Sequence, residues 1–190
     1  MAVARKKIYT PEEYLKMEER SERRHEFVNG EILNMAGTTT KHNEIAGNIY
    51  MALRQKTANK PCRSFVTDVR VQIKKANAYT YPDVMLVCGK VEYEAGRQDV
   101  VTNPIVIFEV LSNSTREYDH TRKFQMYRKL ASLQEYVMVE QDHVSVECFR
   151  RIESGLWVFE GYESLKDTLH LKSVEFGIPL TTIYEGVEVE

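Results

Sequence analysis

Cysteine is scarce in this chain, and what there is follows no pattern. The 190 residues contain three, Cys62, Cys88 and Cys148, an odd number without a C-x-x-C pair. Neither a disulfide framework nor a thiolate zinc site is expected, and a reducing compartment fits best. The five histidines (His25, His42, His120, His143, His170) show no H-x-x-x-H spacing, which argues against zinc and non-haem iron. G-x-S-x-G, P-loop and G-x-G-x-x-G motifs are also missing, removing the common hydrolase and nucleotide-binding readings. No apolar run is long enough to cross a bilayer, and no apolar stretch follows the short basic segment at Met1–Lys7. A soluble, cytoplasmic protein with no membrane partner is therefore expected. Charge of one sign is lacking too: 26 basic against 28 acidic residues give a formal net charge of −2, so any polyanion site must be local. What is present, 43% hydrophobic and 28% charged residues, suffices for a continuous core under a solvated surface and excludes general disorder.

The length suits a single domain spanning residues 1–190. Thr10-Pro11-Glu12-Glu13 combines a capping hydroxyl, a proline at the first helical position and a glutamate three residues on, predicting a helix that ends near Glu22. Asn29-Gly30 between 24–28 and 31–35 predicts a two-residue hairpin. Ile45, Ile49 and Leu53 recur every four residues, marking a core helix over 40–58. The alternation of Phe65, Thr67, Val69, Val71 and Ile73 predicts one strand, and Val84–Cys88 a short apolar one. Residues 90–103 read as a loop. Ile105–Leu111 reads as a central strand covered on both faces. Ser112–Thr115 supplies turn and cap residues before a second core helix carrying Phe124, Tyr127, Leu130 and Ala131. Strands follow at 136–139, 144–149, 157–162 and 169–171. The fold class is thus α/β (α+β): a mixed β-sheet flanked by helices with its core at about 40–140, extended by the N-terminal hairpin and a C-terminal antiparallel meander.

Glu109 is the most informative residue, because an ionised carboxylate in an apolar strand is costly unless a cation or hydrogen-bond donors meet it. Asp83 begins the preceding strand, and the two carboxylates converge if those strands pair. Such a pair suits Mg²⁺ or Mn²⁺, which take oxygen ligands and keep part of their water shell. The bland alternatives are a buried arginine partner for Glu109 and a simple turn cap for Asp83. Lys123 is either half of a surface i,i+4 ion pair with Asp119 or a cation leaning over the Glu109 strand. From Arg116 to Lys129 five basic residues form the best local polyanion patch. Glu26 would extend the carboxylate cluster, although most strand glutamates face water, and His42 at a helix start is more often a capping histidine than a base.

Taken together, Pro82-Asp83, Glu109-Val110-Leu111-Ser112-Asn113-Ser114-Thr115, Asp119, Lys123 and Tyr127 resemble the Uma-type restriction endonuclease family, formerly a domain of unknown function, within the PD-(D/E)XK nuclease superfamily. Supporting matches are His25-Glu26 with Val28-Asn29-Gly30-Glu31, His42 with Gly47-Asn48, Asp68-Val69 and Glu135-Tyr136. The resemblance spans almost the whole chain. It implies a restriction-endonuclease-like fold and metal-dependent hydrolysis of DNA phosphodiester bonds, with Asp83 and Glu109 matching the acidic ligands of Mg²⁺ or Mn²⁺ beside a main-chain carbonyl. The superfamily's usual lysine, two residues after the second acid, is replaced here by Leu111. Lys123 on the following helix matches the relocated lysine of family variants. DNA is the implied substrate, and a homodimer would let two sites cut both strands. A nuclease-like scaffold that binds DNA or protein without cutting is the rival reading.

Overall fold

The computed structural model describes residues 7–35, 37–112 and 116–189. The first helix, α1 (Pro11–Glu18), opens on the expected capping box: Glu13 N–H donates to the Thr10 hydroxyl, and the Thr10 N–H to the Glu13 carboxylate. It stops short of Glu22 because Glu18 is buried and accepts hydrogen bonds from His25 N–H and the Tyr81 hydroxyl. The hairpin of β1 (His25–Val28) and β2 (Glu31–Asn34) turns through Asn29 and Gly30, both at positive φ. Only glycine suits the second position, since a Cβ there would also lie 2.5 Å from Ile8 Cγ2.

Two sheets, not one, form the body of the molecule. The hairpin was expected to extend the main sheet, but it belongs to a separate five-stranded sheet. That sheet runs β2-β1-β5-β4-β7, with β4 at Arg70–Ile73, β5 at Ala78–Thr80 and β7 at Val100–Val101. The single strand predicted across Phe65–Ile73 is likewise corrected. It breaks at Thr67 and Asp68, both at positive φ, into β3 (Cys62–Val66) and β4, which lie in different sheets. Alternation survives the break because each half has its own buried face, so periodicity alone could not reveal it.

The six-stranded sheet runs β11-β10-β9-β8-β6-β3, with β6 at Val84–Cys88, β8 at Val106–Leu111, β9 at Glu135–Glu140, β10 at Val146–Arg151 and β11 at Trp157–Tyr162. All six residues of β8 are buried, as a central strand requires. The expectation of unpaired cysteines is overturned: Cys62 and Cys88 face each other across the β3–β6 ladder and form a disulfide, while Cys148 is free and buried. Their 26-residue separation hid a pairing that strand register creates. The meander extends this sheet only as far as β11. The strand at β12 (Thr168–Leu171) leaves it and pairs with β13 (Phe176–Pro179) in a two-stranded sheet, followed by α5 (Leu180–Ile183).

One face of the main sheet is covered by α2 (Thr40–Lys56), whose Ile45, Ile49 and Leu53 meet Leu86, Val106 and Phe108. The other face is covered by a helical run of α3 (Arg116–Tyr118), a π-helical turn (Asp119–Lys123) and α4 (Phe124–Tyr127). There Met126, Tyr127 and Leu130 meet Met85, Ile107 and Met138. Residues 113–115, read as turn and cap, lie outside the described residues.

Candidate active site

Strand register brings the two leading acids together. The β6 and β8 strands are antiparallel, with Val84 opposite Phe108, so the next rung sets Asp83 beside Glu109. Val84, Leu86, Val106 and Phe108 belong to the α2-side core and Met85 and Ile107 to the other, so two-residue alternation puts Asp83 and Glu109 on the face covered by the helical run. Asp83 is held at both oxygens: Oδ2 accepts from Val110 N–H at 2.7 Å, and Oδ1 lies 3.0 Å from His42 Nε2. His42 is itself placed by the helix cap, because its N–H donates to the hydroxyl of the N-cap residue Thr39.

Lys123 is buried, with its Nζ 3.1 Å from Glu109, 3.2 Å from Asp119 and 3.4 Å from Glu26. The i,i+4 pair with Asp119 exists but not at the surface, and Glu109 meets a lysine in place of the arginine considered above. Glu26 does not take the solvent-facing place of most strand glutamates but joins the carboxylate cluster. It is 4% exposed, accepting from the Tyr118 hydroxyl at 3.0 Å and from Tyr81 N–H at 3.4 Å. The Tyr127 hydroxyl donates to Glu109 at 2.8 Å. Burial alone would lower the Lys123 pKa, but Glu109, Glu26 and Asp119 together outweigh it and hold the ammonium charged well above the usual lysine value. Burial also pushes the Glu109 carboxyl well above its ordinary value. Lys123 opposes that rise, while Asp83, Asp119 and Glu26 add to it.

Glu26, His42, Asp83, Glu109, Asp119 and Lys123 line a cleft of about 530 Å³ between the β1–β2 hairpin, the start of α2 and the helical run, with Tyr127 behind Glu109 outside the lining. Among the described residues no three histidine, cysteine or acidic side chains form a ready cage for an ion. The donor chemistry nonetheless fits a hard divalent cation. Four carboxylates, those of Glu26, Asp83, Glu109 and Asp119, share the cleft with one lysine, and Asp119 Oδ1 is buried without a hydrogen bond despite its nearness to Lys123. Asp83 and Glu109 are the acids that meet across the strands, and they could hold such an ion.

A model of the family described as "Putative restriction endonuclease", Uma2, matches residues 11–182. The chain belongs to the Uma2 family. Two uncharacterized Synechocystis proteins are similar to this Uma2 chain. One, sll1609, is 36% identical over 158 residues, covering 83% of this chain and 89% of its own. The other, slr1290, is 31% identical over 178 residues, covering 94% and 92%. A crystal structure described as a putative nuclease belonging to DUF820, from Anabaena variabilis, superposes with a TM-score of 0.77 at 16% identity, over 92% of this chain and 97% of that one. The Uma2 chain therefore has the mixed α/β fold of that neighbour.

Not every residue of the motifs lies at the cleft. Asn48 on α2 caps the chain end by donating to the carbonyls of Ile183 and Glu185. Glu135 is a buried structural anchor for Arg150 and for the N–H groups of Lys172 and Ser173. Asp68 pairs with Arg24 in solvent. Of the basic run, Lys123 turns inward and Arg116 pairs with Glu140 at 2.6 Å, leaving Arg122, Arg128 and Lys129 exposed. Sequence reasoning paired Asp119 with Lys123 only at the surface and gave Tyr127 no role of its own, whereas both turn inward with the lysine. Their spacing of four along one helical stripe was the available signal.

Proposed function

We propose that this Uma2 protein is a Mg²⁺- or Mn²⁺-dependent endonuclease that hydrolyses DNA phosphodiester bonds, with Asp83, Glu109, Lys123 and Glu26 as its working groups. One observation carries the reading: two acids that face each other across the antiparallel register of β6 and β8, Asp83 at the entry to β6 and Glu109 in β8, share a cleft with a buried lysine. Asp83 and Glu109 would hold the cation. When bound, it supplies Lewis-acid polarisation of a phosphate oxygen and makes water a stronger nucleophile. Asp83 is presented for this by Val110 N–H and His42, and Glu109 by the Tyr127 hydroxyl. Lys123 keeps its proton at Nζ and places positive charge where the phosphate becomes more negative in the transition state. Glu26 and Asp119 hold that ammonium in place.

The proposal puts this activity in one domain spanning residues 1–190 and in the cytoplasm, with a homodimer able to offer two clefts to DNA. No described helix is long and apolar enough to cross a membrane. The Cys62–Cys88 disulfide runs against the reducing compartment expected from cysteine usage, since cytosolic proteins usually keep thiols reduced.

Cleavage of labelled DNA tests the proposal. It should require Mg²⁺ or Mn²⁺, stop with a chelator, and fall about 10²-fold or more in Lys123→Met. Arg122→Met serves as the control, because Arg122 is exposed. Metal-independent cutting, or equal cutting by wild type and Lys123→Met, would overturn it. Binding of DNA without any cutting would leave the non-catalytic scaffold as the better reading.

A further inference from the structure

The acids of the cleft lie at its floor. Glu26, Glu109 and Asp119 are 4%, 2% and 2% exposed and Lys123 is 7% exposed, so a reacting phosphate has to enter the cleft to meet them. The walls differ from the floor in chemistry. Leu33 sits directly opposite Glu26 in the β1–β2 ladder. Met35 continues the same side of that hairpin, its N–H donating to the Arg24 carbonyl. Tyr118 brings an aromatic ring with its hydroxyl tied to Glu26. Asn34, Thr38 and Gln141 add neutral hydrogen-bonding groups. Among the described residues the lining holds one lysine and no arginine. Of the arginines near it, Arg116 is tied to Glu140 and Arg24 to Asp68, while Arg122, beside Lys123 in sequence, is exposed outside the lining.

Duplex DNA presents stacked, paired strands, and proteins hold it through several lysine and arginine contacts to successive phosphates. An unpaired strand can instead turn a base out of the chain, lay it on an aromatic or apolar wall and feed the adjoining phosphate inward. The cleft's volume of about 530 Å³ falls in the ~300–1,000 Å³ range of pockets that enclose a small-molecule-sized group. Its apolar wall beside an acidic floor suits one such nucleotide and is a poor match for a rigid double helix.

Building on the nuclease reading above, we propose that the cleft takes an unpaired stretch of a DNA strand, with a base against Leu33, Met35 and Tyr118 and its phosphate directed to Asp83, Glu109 and Lys123. Fluorescence anisotropy in Ca²⁺, with one labelled oligonucleotide as a single strand and annealed to its complement, tests this directly. The single strand should bind more tightly by about tenfold or more. Met35→Glu, which adds a carboxylate at the exposed rim, should weaken single-strand binding by about tenfold. Met51→Glu, at an exposed position of α2 outside the lining, should leave it unchanged. Equal or tighter duplex binding, or an unaffected Met35→Glu variant, would overturn the inference. Cleavage of the same two substrates in Mg²⁺ separates the two proposals. If only duplex is cut, the substrate inference falls and the nuclease reading survives. If single strand is bound with the expected preference and nothing is cut, the inference stands and the nuclease reading falls.

Discussion

Glu109 sits in the middle of β8 with Ile107 and Leu111 on its own face of the sheet, where hydrocarbon would otherwise be expected. Its pKa is raised in the folded state, so folding favours its protonated form. The stabilisation from that form is complete below the ordinary carboxylate range and is lost as pH rises through the raised value. Glu109→Gln is permanently neutral and keeps Tyr127 as a donor, while Lys123 retains Glu26 and Asp119. Without metal the variant should be as stable as wild type or more stable in urea at neutral pH, with any gain shrinking on acidification. A lower midpoint at neutral pH would mean that the Lys123–Glu109 pair is net stabilising. Much of the site was legible one residue at a time, because a charge inside an apolar strand has few explanations. Glu26 and His42 were less legible, since their role depends on which partners the tertiary fold sets opposite them. Nothing local in His25-Glu26 announces Lys123 or Tyr118.

The elements were legible where a cap or a turn has specific chemistry, as in the Thr10 capping box and the Asn29-Gly30 hairpin. They were misread where the chain changes sheet without changing its pattern, at Thr67-Asp68 and again at β12. The β3–β6 pairing shows what such a misreading costs, because the cysteine partnership follows from register and from nothing in the spacing. The disulfide closes a loop of 26 residues, for which chain entropy gives about 3.5 kcal/mol. The paired Cys62→Ser, Cys88→Ser variant should therefore lose about 2–4 kcal/mol in chemical unfolding, and wild type should lose a similar amount under strong reductant. An unchanged midpoint in both experiments would show that the two thiols are not joined in the folded protein. The break in the second helix is also an element-scale feature. The π turn carries Asp119 and Lys123 inward together, and π turns of this kind recur at functional sites.

At the scale of the whole molecule, the cleft exists because two sheets and two helical segments meet. The five-stranded sheet brings Glu26, and the six-stranded sheet brings Glu109 with Asp83 at the entry to β6. The start of α2 brings His42, and the helical run brings Asp119 and Lys123. No segment of fewer than about 100 residues contains the set, so the constellation could not be read as one compact motif. The chain's near-neutral charge also means that the proposed binding of DNA would fall to local groups and to any cation held among the carboxylates. The central claim is that Asp83 and Glu109 together hold a divalent ion, and calorimetric titration of the DNA-free protein with Mn²⁺ tests it most directly. Wild type should show a saturable site that Asp83→Ala and Glu109→Ala each abolish while Met51→Glu leaves it intact. A wild-type isotherm without binding, or one that both alanine variants reproduce, would contradict the account.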